Sequence, residues 1–207
     1  MPDYTVKDQM QSDWTFAPER TTHAITVSKQ EVIGMGVQAL QTIGSDAICK
    51  VCIYNGGSCC QGCHHLADGI GCQQRNTSCT AWLCGFLKLL LHETGLLQEW
   101  NHFWDQVPGQ GFREDSTPET FFVEKHLHLP DIRKLSDALA ADLDELARSH
   151  IAIGFIITLQ NKMDKQIDQL DECENNPKKK NKINRKIKLL CSPFHRFQKE
   201  LQQYNGK

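Results

Sequence analysis

Eight of the ten cysteines lie within a 36-residue stretch of the chain, at Cys49, Cys52, Cys59, Cys60, Cys63, Cys72, Cys79 and Cys84. Two pairs in this stretch have Cys-x-x-Cys spacing, which lets two thiolates converge on one metal ion from a tight turn. Gly56, Gly57 and Gly62 permit the backbone conformations that such turns need. We therefore predict that these eight cysteines form a metal-binding region.

The number of thiols exceeds what one metal centre requires. Cysteine thiolates suit both iron–sulfur clusters and zinc, and either one four-iron cluster or one tetrahedral zinc takes four of them. The region is thus expected to hold two metals, or to keep some thiols for redox chemistry. Adjacent side chains cannot easily bind one ion together, so at least one of Cys59 and Cys60 should have a second role. An iron–sulfur cluster is the first expectation and zinc is the alternative.

The rest of the sequence favours a cytoplasmic protein over a disulfide-bonded secreted one. The N-terminal residues lack the basic start and apolar stretch of a secretory signal. In a reducing cytosol, clustered thiols are more often metal ligands or catalytic groups than disulfides. The longest apolar stretches fall well short of the ~20 residues that cross a bilayer, which predicts no membrane segment. A net charge of −2 gives no bulk reason to expect nucleic acid or an anionic membrane.

The order of cysteines resembles that of a bacterial cysteine-rich family described as zinc- or iron-chelating domains. The likeness covers only residues 49–84, where Cys-x-x-Cys is followed by a Cys-Cys pair and later by a cysteine, Arg75 and another cysteine. The interval before the Cys-Cys pair is longer than in that family, and Asn76 stands where the family usually has proline. The resemblance implies metal binding and no particular reaction, and its matching positions are Cys49, Cys52, Cys59, Cys60, Cys72 and Cys79.

Other polar residues give weaker indications of chemistry. His64 and His65 follow Cys63 and could complete a mixed site, but histidines in glycine-rich loops are more often solvated. Glu99 and His102 have the spacing of half a di-iron site, without the second copy that such a site requires. No phosphate-binding loop, nucleophile elbow or zinc-protease motif occurs. We therefore do not predict an enzyme, and keep a thiol redox enzyme as a third hypothesis.

The elements that must position the cysteines are predicted to be mostly helical. The capping box Ser28–Glu31 predicts a helix over 29–44, and residues 46–78 have little apolar periodicity and are predicted as irregular loops. Residues 80–106 form a buried helix, or two helices broken near Gly95. A second capping box, at 116–119, predicts a short helix ending near Leu127. Apolar residues after Pro130 recur at three and four positions and predict a further helix.

The C-terminal sequence predicts an antiparallel helical hairpin over residues 151–204. Its turn falls at 175–177, and Ser192-Pro193 requires a kink or a helix restart. The whole chain is thus expected to be a helical bundle with an irregular cysteine-rich loop region and this hairpin. We divide it into a polar arm (1–27), a cysteine-rich region with flanking helices (28–130) and a hairpin region (131–207).

A run of basic residues opens the second half of the hairpin, at Lys178, Lys179, Lys180, Lys182 and Arg185, followed by Lys186 and Lys188. The segment before the turn ends in five acidic residues, Asp164, Asp168, Asp171, Glu172 and Glu174. The favoured interpretation is that the acidic and basic arms of the hairpin neutralise each other. The leading functional hypothesis is a metal-binding accessory or regulatory protein whose helices bind another protein. A zinc-stabilised nucleic-acid-binding module that uses the basic run is the alternative.

Overall fold

The computed structural model describes residues 24–57, 63, 65–67, 71–72, 75–111, 114–150, 152, 154–173 and 176–206. These residues are mostly helical, as predicted. The helices are α1 (Lys29–Thr42), α2 (Ser45–Tyr54), α3 (Thr77–Ala81), α4 (Gly85–Glu93), α5 (Leu97–Trp104), α6 (Arg133–Ser149), α7 (Phe155–Asp171), α8 (Pro177–Leu190) and α9 (His195–Asn205). The strands are β1 (Ile25–Ser28), β2 (Leu66–Ala67), β3 (Gly71–Cys72), β4 (Gln110–Gly111), β5 (Glu114–Asp115) and β6 (Thr120–Val123).

Helix α1 begins at the predicted capping box. The Ser28 hydroxyl accepts the backbone N–H of Glu31 at 3.2 Å, and the Glu31 carboxylate accepts the backbone N–H of Ser28 at 2.7 Å. Two of the N–H groups that a helix start leaves open are satisfied in this way. Strand β1 leads directly into this cap and pairs antiparallel with β6.

The second capping box does not start a helix, and that prediction is wrong. Residues 120–123 form strand β6, in which Phe121 and Val123 are buried and Phe122 is exposed, the two-residue alternation of a strand. The Ser116 hydroxyl donates to the Gly109 carbonyl, and the Thr117 hydroxyl lies 2.7 Å from that of Thr77. The Ser116 and Thr117 hydroxyls therefore form hydrogen bonds outside this segment and do not cap a helix.

The irregular region predicted over 46–78 is shorter than expected at both ends. Residues 45–54 form α2, in which Ile48 is fully buried and Ser45 nearly so, and α2 packs against α6. At the other end, α3 begins at Thr77. The single apolar face of α2 is too short to give a clear periodic signal, and its stability comes from tertiary packing. Much of the sequence between Gly57 and Arg75 lies outside the described residues.

The predicted break near Gly95 is present. Helix α4 ends at Glu93, Gly95 takes a left-handed φ of 73°, and α5 begins at Leu97. Leu89, Leu90 and Leu91 in α4 are fully buried. The buried indole of Trp100 donates to the Ala81 carbonyl at 2.8 Å, which ties α5 to the end of α3.

The C-terminal helices form the predicted hairpin only in part. Helices α7 and α8 pack against each other, and the Asn176 side chain caps α8 with Pro177 in its first turn. The helix restarts after Pro193, as predicted, but α9 packs against α6 rather than continuing along α7. The buried carboxylate of Asp142 in α6 explains this change of partner, because it accepts the Phe197 backbone N–H at 2.9 Å in the first turn of α9.

A single hydrophobic core joins the two predicted regions. Its buried residues run from Val27 in β1 to Phe197 in α9. At the crossing of α4 and α7 a side chain on Gly85 would lie 2.2 Å from the Gln160 carbonyl oxygen, so only glycine permits this approach. The regions 28–130 and 131–207 therefore pack as one body. No helix among the described residues is long and apolar enough to span a membrane.

Candidate metal centre

The first Cys-x-x-Cys pair lies on a helix rather than in a turn. Cys49 and Cys52 are in the second half of α2, and residues three apart share one helical face. Both are half-buried. The predicted chelating turn is therefore wrong for this pair, although two thiols on one face still point in a common direction.

Two glycines end α2 and turn the chain beside this pair. The Gly56 N–H donates to the Ile53 carbonyl at 3.0 Å and the Gly57 N–H donates to the Cys52 carbonyl at 2.8 Å, with Gly56 at a left-handed φ of 78°. This is the hydrogen-bond pattern of a Schellman motif. A Cβ atom on Gly57 would lie 2.2 Å from Cys52 Sγ, so the backbone there passes directly over the sulfur. Gly57, the last described residue before Cys59 and Cys60, therefore lies next to the Cys52 thiol.

Cys79 lies in the first turn of α3, and its backbone N–H donates to the Asn76 side chain at 2.8 Å. Helix α3 packs on α1 and on strands β4 and β5. These contacts hold the backbone of Cys79 in place, and its role as a metal ligand stays a prediction.

The start of α3 is held by Asp115 of β5. Its carboxylate accepts the Thr77 hydroxyl at 2.7 Å and the backbone N–H groups of Thr77 and Thr117 at 3.1 Å, and it lies 3.2 Å from the Lys29 ammonium. Burial raises the pKa of Asp115, but these donors outweigh burial and lower it to about 2. No local pattern in the sequence points to this cluster, because its members come from segments far apart in the chain.

The structure describes only some of the other cysteines of the region. Cys84 precedes α4 as its N-cap residue and is only 6% exposed. Cys63 is half-buried, and Cys72 pairs through its backbone with Leu66 in the β2–β3 ribbon. Cys59, Cys60, His64 and the Cys72 side chain lie outside the described part of the chain.

No three histidine, cysteine or acidic side chains among the described residues come together as a metal-binding group. A metal centre in this region therefore needs at least one ligand from the residues outside the described part, such as Cys59, Cys60 or the Cys72 side chain. The eight predicted ligands stay a prediction.

Cys52 lies in the last turn of α2, which contains no basic residue. A helix C-terminus carries partial negative charge. Metal ligation and nucleophilic chemistry both use the thiolate, so this position does not distinguish a metal ligand from a redox-active thiol. The donor set of half-buried thiols fits zinc or an iron–sulfur cluster.

The remaining cysteines, Cys173 and Cys191, carry free thiols away from this region. Cys191 is 8% exposed, and burial together with the nearby charge of Glu93 raises its pKa to about 12. Its thiol is therefore protonated at neutral pH. Cys173 is partly buried against the core.

Glu99 and His102, the two residues with the spacing of half a di-iron site, each pair with a side chain of opposite character near the surface. Glu99 pairs with Lys125 at 2.7 Å, and His102 Nε2 lies 3.1 Å from the Glu124 carboxylate. His126 and His128 are exposed, with ring centroids 6.3 Å apart.

The predicted neutralisation of the basic run is wrong for two of the acidic residues. Asp164 and Asp168 of α7 bind the Lys88 ammonium of α4, at 2.8 and 2.5 Å. Burial lowers the pKa of Lys88, but its hydrogen bonds to these two carboxylates outweigh burial, so the pKa lies above its usual value. These two acidic groups therefore hold α4 against α7.

Comparisons with protein-family models, with curated proteins and with solved structures found no match to this chain.

Proposed function

We propose that the protein is a cytoplasmic metal-binding accessory or regulatory protein, whose cysteine region holds an iron–sulfur cluster or zinc and whose helical body binds a partner protein. The anchoring of both ends of the cysteine region supports this proposal most strongly. Cys52 is fixed by the Schellman turn over its sulfur, and Cys79 is fixed in α3. Four further cysteines lie in the short segment between these anchors.

The composition of that segment adds support. Residues 58–74 contain few apolar side chains, so the segment has little with which to build a core of its own. In such segments the binding free energy of a metal supplies folding free energy. A bound iron–sulfur cluster would supply electron transfer or redox sensing, and zinc would supply structural stabilisation alone. The likeness to cysteine-rich chelating domains at Cys49, Cys52, Cys59, Cys60, Cys72 and Cys79 points the same way.

The proposal is tested on protein purified without oxygen. Visible absorption and elemental analysis together identify the metal, since an iron–sulfur protein is brown and contains iron and acid-labile sulfide, and a zinc protein is colourless. We expect one of these metals in stoichiometric amount. Protein that remains metal-free after incubation with zinc, or with iron and sulfide under reducing conditions, would contradict the proposal.

A further inference from the structure

Helix α8 carries the most concentrated charge of the chain. Its fourteen residues include seven basic side chains and no acidic one, although the chain as a whole has a net charge of −2. All seven are exposed: Lys178, Lys179, Lys180, Lys182, Arg185, Lys186 and Lys188. The rest of the chain carries 16 basic (23 − 7) and 25 acidic residues, so α8 is a basic helix on an otherwise net acidic protein.

The two faces of α8 have different roles. Ile183 and Ile187 are buried, and α8 packs on α7. On the opposite face Lys178, Lys182 and Arg185 follow one another at four- and three-residue spacing, so they form one row along the helix. At a rise of about 1.5 Å per residue, this row of cations is about 10 Å long. We call it the α8 basic row.

The charges of α8 are not used to stabilise the fold described here. Among the described residues, no ion pair includes any of the seven basic side chains, whereas Lys29, Lys88, Lys125, Arg148 and Arg196 all pair with carboxylates. The nearest acidic helix, α7, has its Asp164 and Asp168 bound to Lys88.

The lysines at the start of α8 also oppose the stability of the helix. Lys178, Lys179 and Lys180 occupy its first turn, and the turn has no acidic residue. The helix dipole is positive at this end, so cations there destabilise the helix and acidic residues would stabilise it. A local conflict of this kind is typical of functional surfaces.

We propose that the α8 basic row binds the phosphate backbone of nucleic acid without reading the base sequence. Phosphates every few ångströms along a strand match a row of cations on a rigid helix. Base stacking is not part of the contact, because Phe194 and Phe197, the aromatic residues that follow α8, are buried.

Other anionic partners fit the surface less well. Protein interfaces are depleted in lysine and depend on buried apolar anchors, and the exposed face of α8 offers only Leu189 near its end. A helix that lies on a membrane inserts an apolar face, and the apolar face of α8 is buried in the protein core. The inference concerns α8, which carries no cysteine, and does not depend on a bound metal.

The test measures the affinity of the full-length protein for labelled duplex DNA by fluorescence anisotropy, at several salt concentrations. Two duplexes of unrelated sequence, a duplex RNA and a polyglutamate peptide serve as probes. The triple variant Lys178→Glu/Lys182→Glu/Arg185→Glu removes the basic row. The control Lys134→Glu/Lys165→Glu/Lys199→Glu changes the net charge equally at exposed positions that form no ion pair among the described residues.

We expect the two DNA duplexes to bind equally within about threefold, with an affinity that falls steeply with salt. The α8 variant should lose at least about tenfold in affinity, and its log–log salt slope should fall by about two to three units. The control should lose much less. Because Lys178→Glu places an acidic residue at the helix start, the α8 variant should melt no lower than the control, which excludes unfolding as the cause.

Three results would overturn the proposal. They are absence of wild-type binding to every nucleic acid at low salt, equal losses in the two triple variants, and tighter binding to polyglutamate than to any nucleic acid. The last result would assign the surface to an acidic protein segment. Preference for RNA over DNA would support the proposal and identify the nucleic acid.

Discussion

Thr77 binds the carboxylate of Asp115 through both its backbone N–H and its hydroxyl group, across 38 residues of sequence. The contact fixes the first residue of α3, and Cys79 lies two residues further along the same short helix. A five-residue helix has almost no stability of its own. The position of Cys79 therefore depends on a carboxylate in a distant strand.

Replacing Asp115 by alanine should loosen the start of α3. The side chain is 7% exposed and accepts three hydrogen bonds, so its loss should lower the free energy of unfolding by about 2–3 kcal/mol. Chemical denaturation measures this value. The exposed Asp137→Ala serves as control and should change stability little, since no hydrogen bond or ion pair among the described residues uses that carboxylate. Equal stabilities of Asp115→Ala and wild type would contradict the role assigned to this carboxylate.

The same carboxylate should make stability depend on acid pH. The pKa of Asp115 is about 2 in the folded protein, against 3.8 for an unperturbed aspartate, so the folded state binds its proton less readily. The stabilisation is complete above the unfolded pKa and is lost as the pH falls from about 4 to about 2, an effect of about 1–2 kcal/mol after solvent screening. Wild type and Asp115→Asn should therefore converge in stability over this range. A constant difference down to about pH 2 would argue against the assignment.

Serine substitutions distinguish the metal-binding cysteines from the others. A serine hydroxyl is a poor substitute for a thiolate, so Cys49→Ser and Cys79→Ser should each reduce metal content to less than about half. Cys173→Ser should leave it unchanged, as should Cys191→Ser in the fraction that folds. Elemental analysis of the purified variants gives the answer. Full metal content in the Cys49→Ser/Cys79→Ser double variant would eliminate both residues as ligands.

The contact between Gly57 and Cys52 can be tested without removing a ligand. Alanine at Gly57 would place a methyl group 2.2 Å from Cys52 Sγ, so either the sulfur or the following chain must move. We expect metal affinity to fall about tenfold or more, the range seen when groups that orient ligands are altered.

Gly56→Ala is the matched control, because it alters the same turn without placing an atom against the Cys52 sulfur. Gly56 has nothing within 4 Å of an added Cβ, and its left-handed φ causes only local strain. A chelator competition assay compares the two variants. If Gly56→Ala weakens metal binding as much as Gly57→Ala, the effect is due to the turn and not to the contact with Cys52.

Asp142 should be critical for the docking of α9. Its buried carboxylate accepts the Phe197 N–H and the Arg196 guanidinium, both at 2.9 Å. Asp142→Ala should lower the free energy of unfolding by about 2–4 kcal/mol, because buried donors lose a charged acceptor. Hydrogen exchange should show loss of protection in 195–205 before the rest of the chain. Glu145→Ala, which removes the exposed partner of Arg196, should have a much smaller effect.

The sequence predicts the fold well where the stabilising interactions are local. The capping box at Ser28, the break at Gly95 and the helix start at Pro177 all involve neighbouring residues, and all three occur in the structure. The motif at 116–119 fails for the opposite reason. Thr117 and Ser116 bind groups on other segments, and strand β6 is stabilised by β1, about 90 residues earlier in the chain.

The sequence predicts the residue types of the candidate site but not their arrangement. The clustered cysteines indicate metal chemistry from their residue type and spacing, but that spacing is compatible with either a turn or a helix. The residues around Cys49 form a helix because Ile48 is buried where α2 packs against α6. This contact joins residues more than 80 positions apart in the sequence. Asp115 and Thr77 could not be identified in advance, since no pattern in the sequence links a threonine to an aspartate 38 positions away.

The cap on α9 also has a consequence for the order of events during synthesis. Asp142 leaves the ribosome 55 residues before Phe197, whose N–H group it will accept. At a synthesis rate of about 5–20 residues per second, roughly three to ten seconds pass between the synthesis of Asp142 and that of Phe197. Until then the Asp142 carboxylate lacks this hydrogen-bond donor and must stay hydrated. The face of α6 that α9 covers therefore cannot become buried during that interval. Native packing in this half of the molecule is therefore postponed until residues 195–205 have been made.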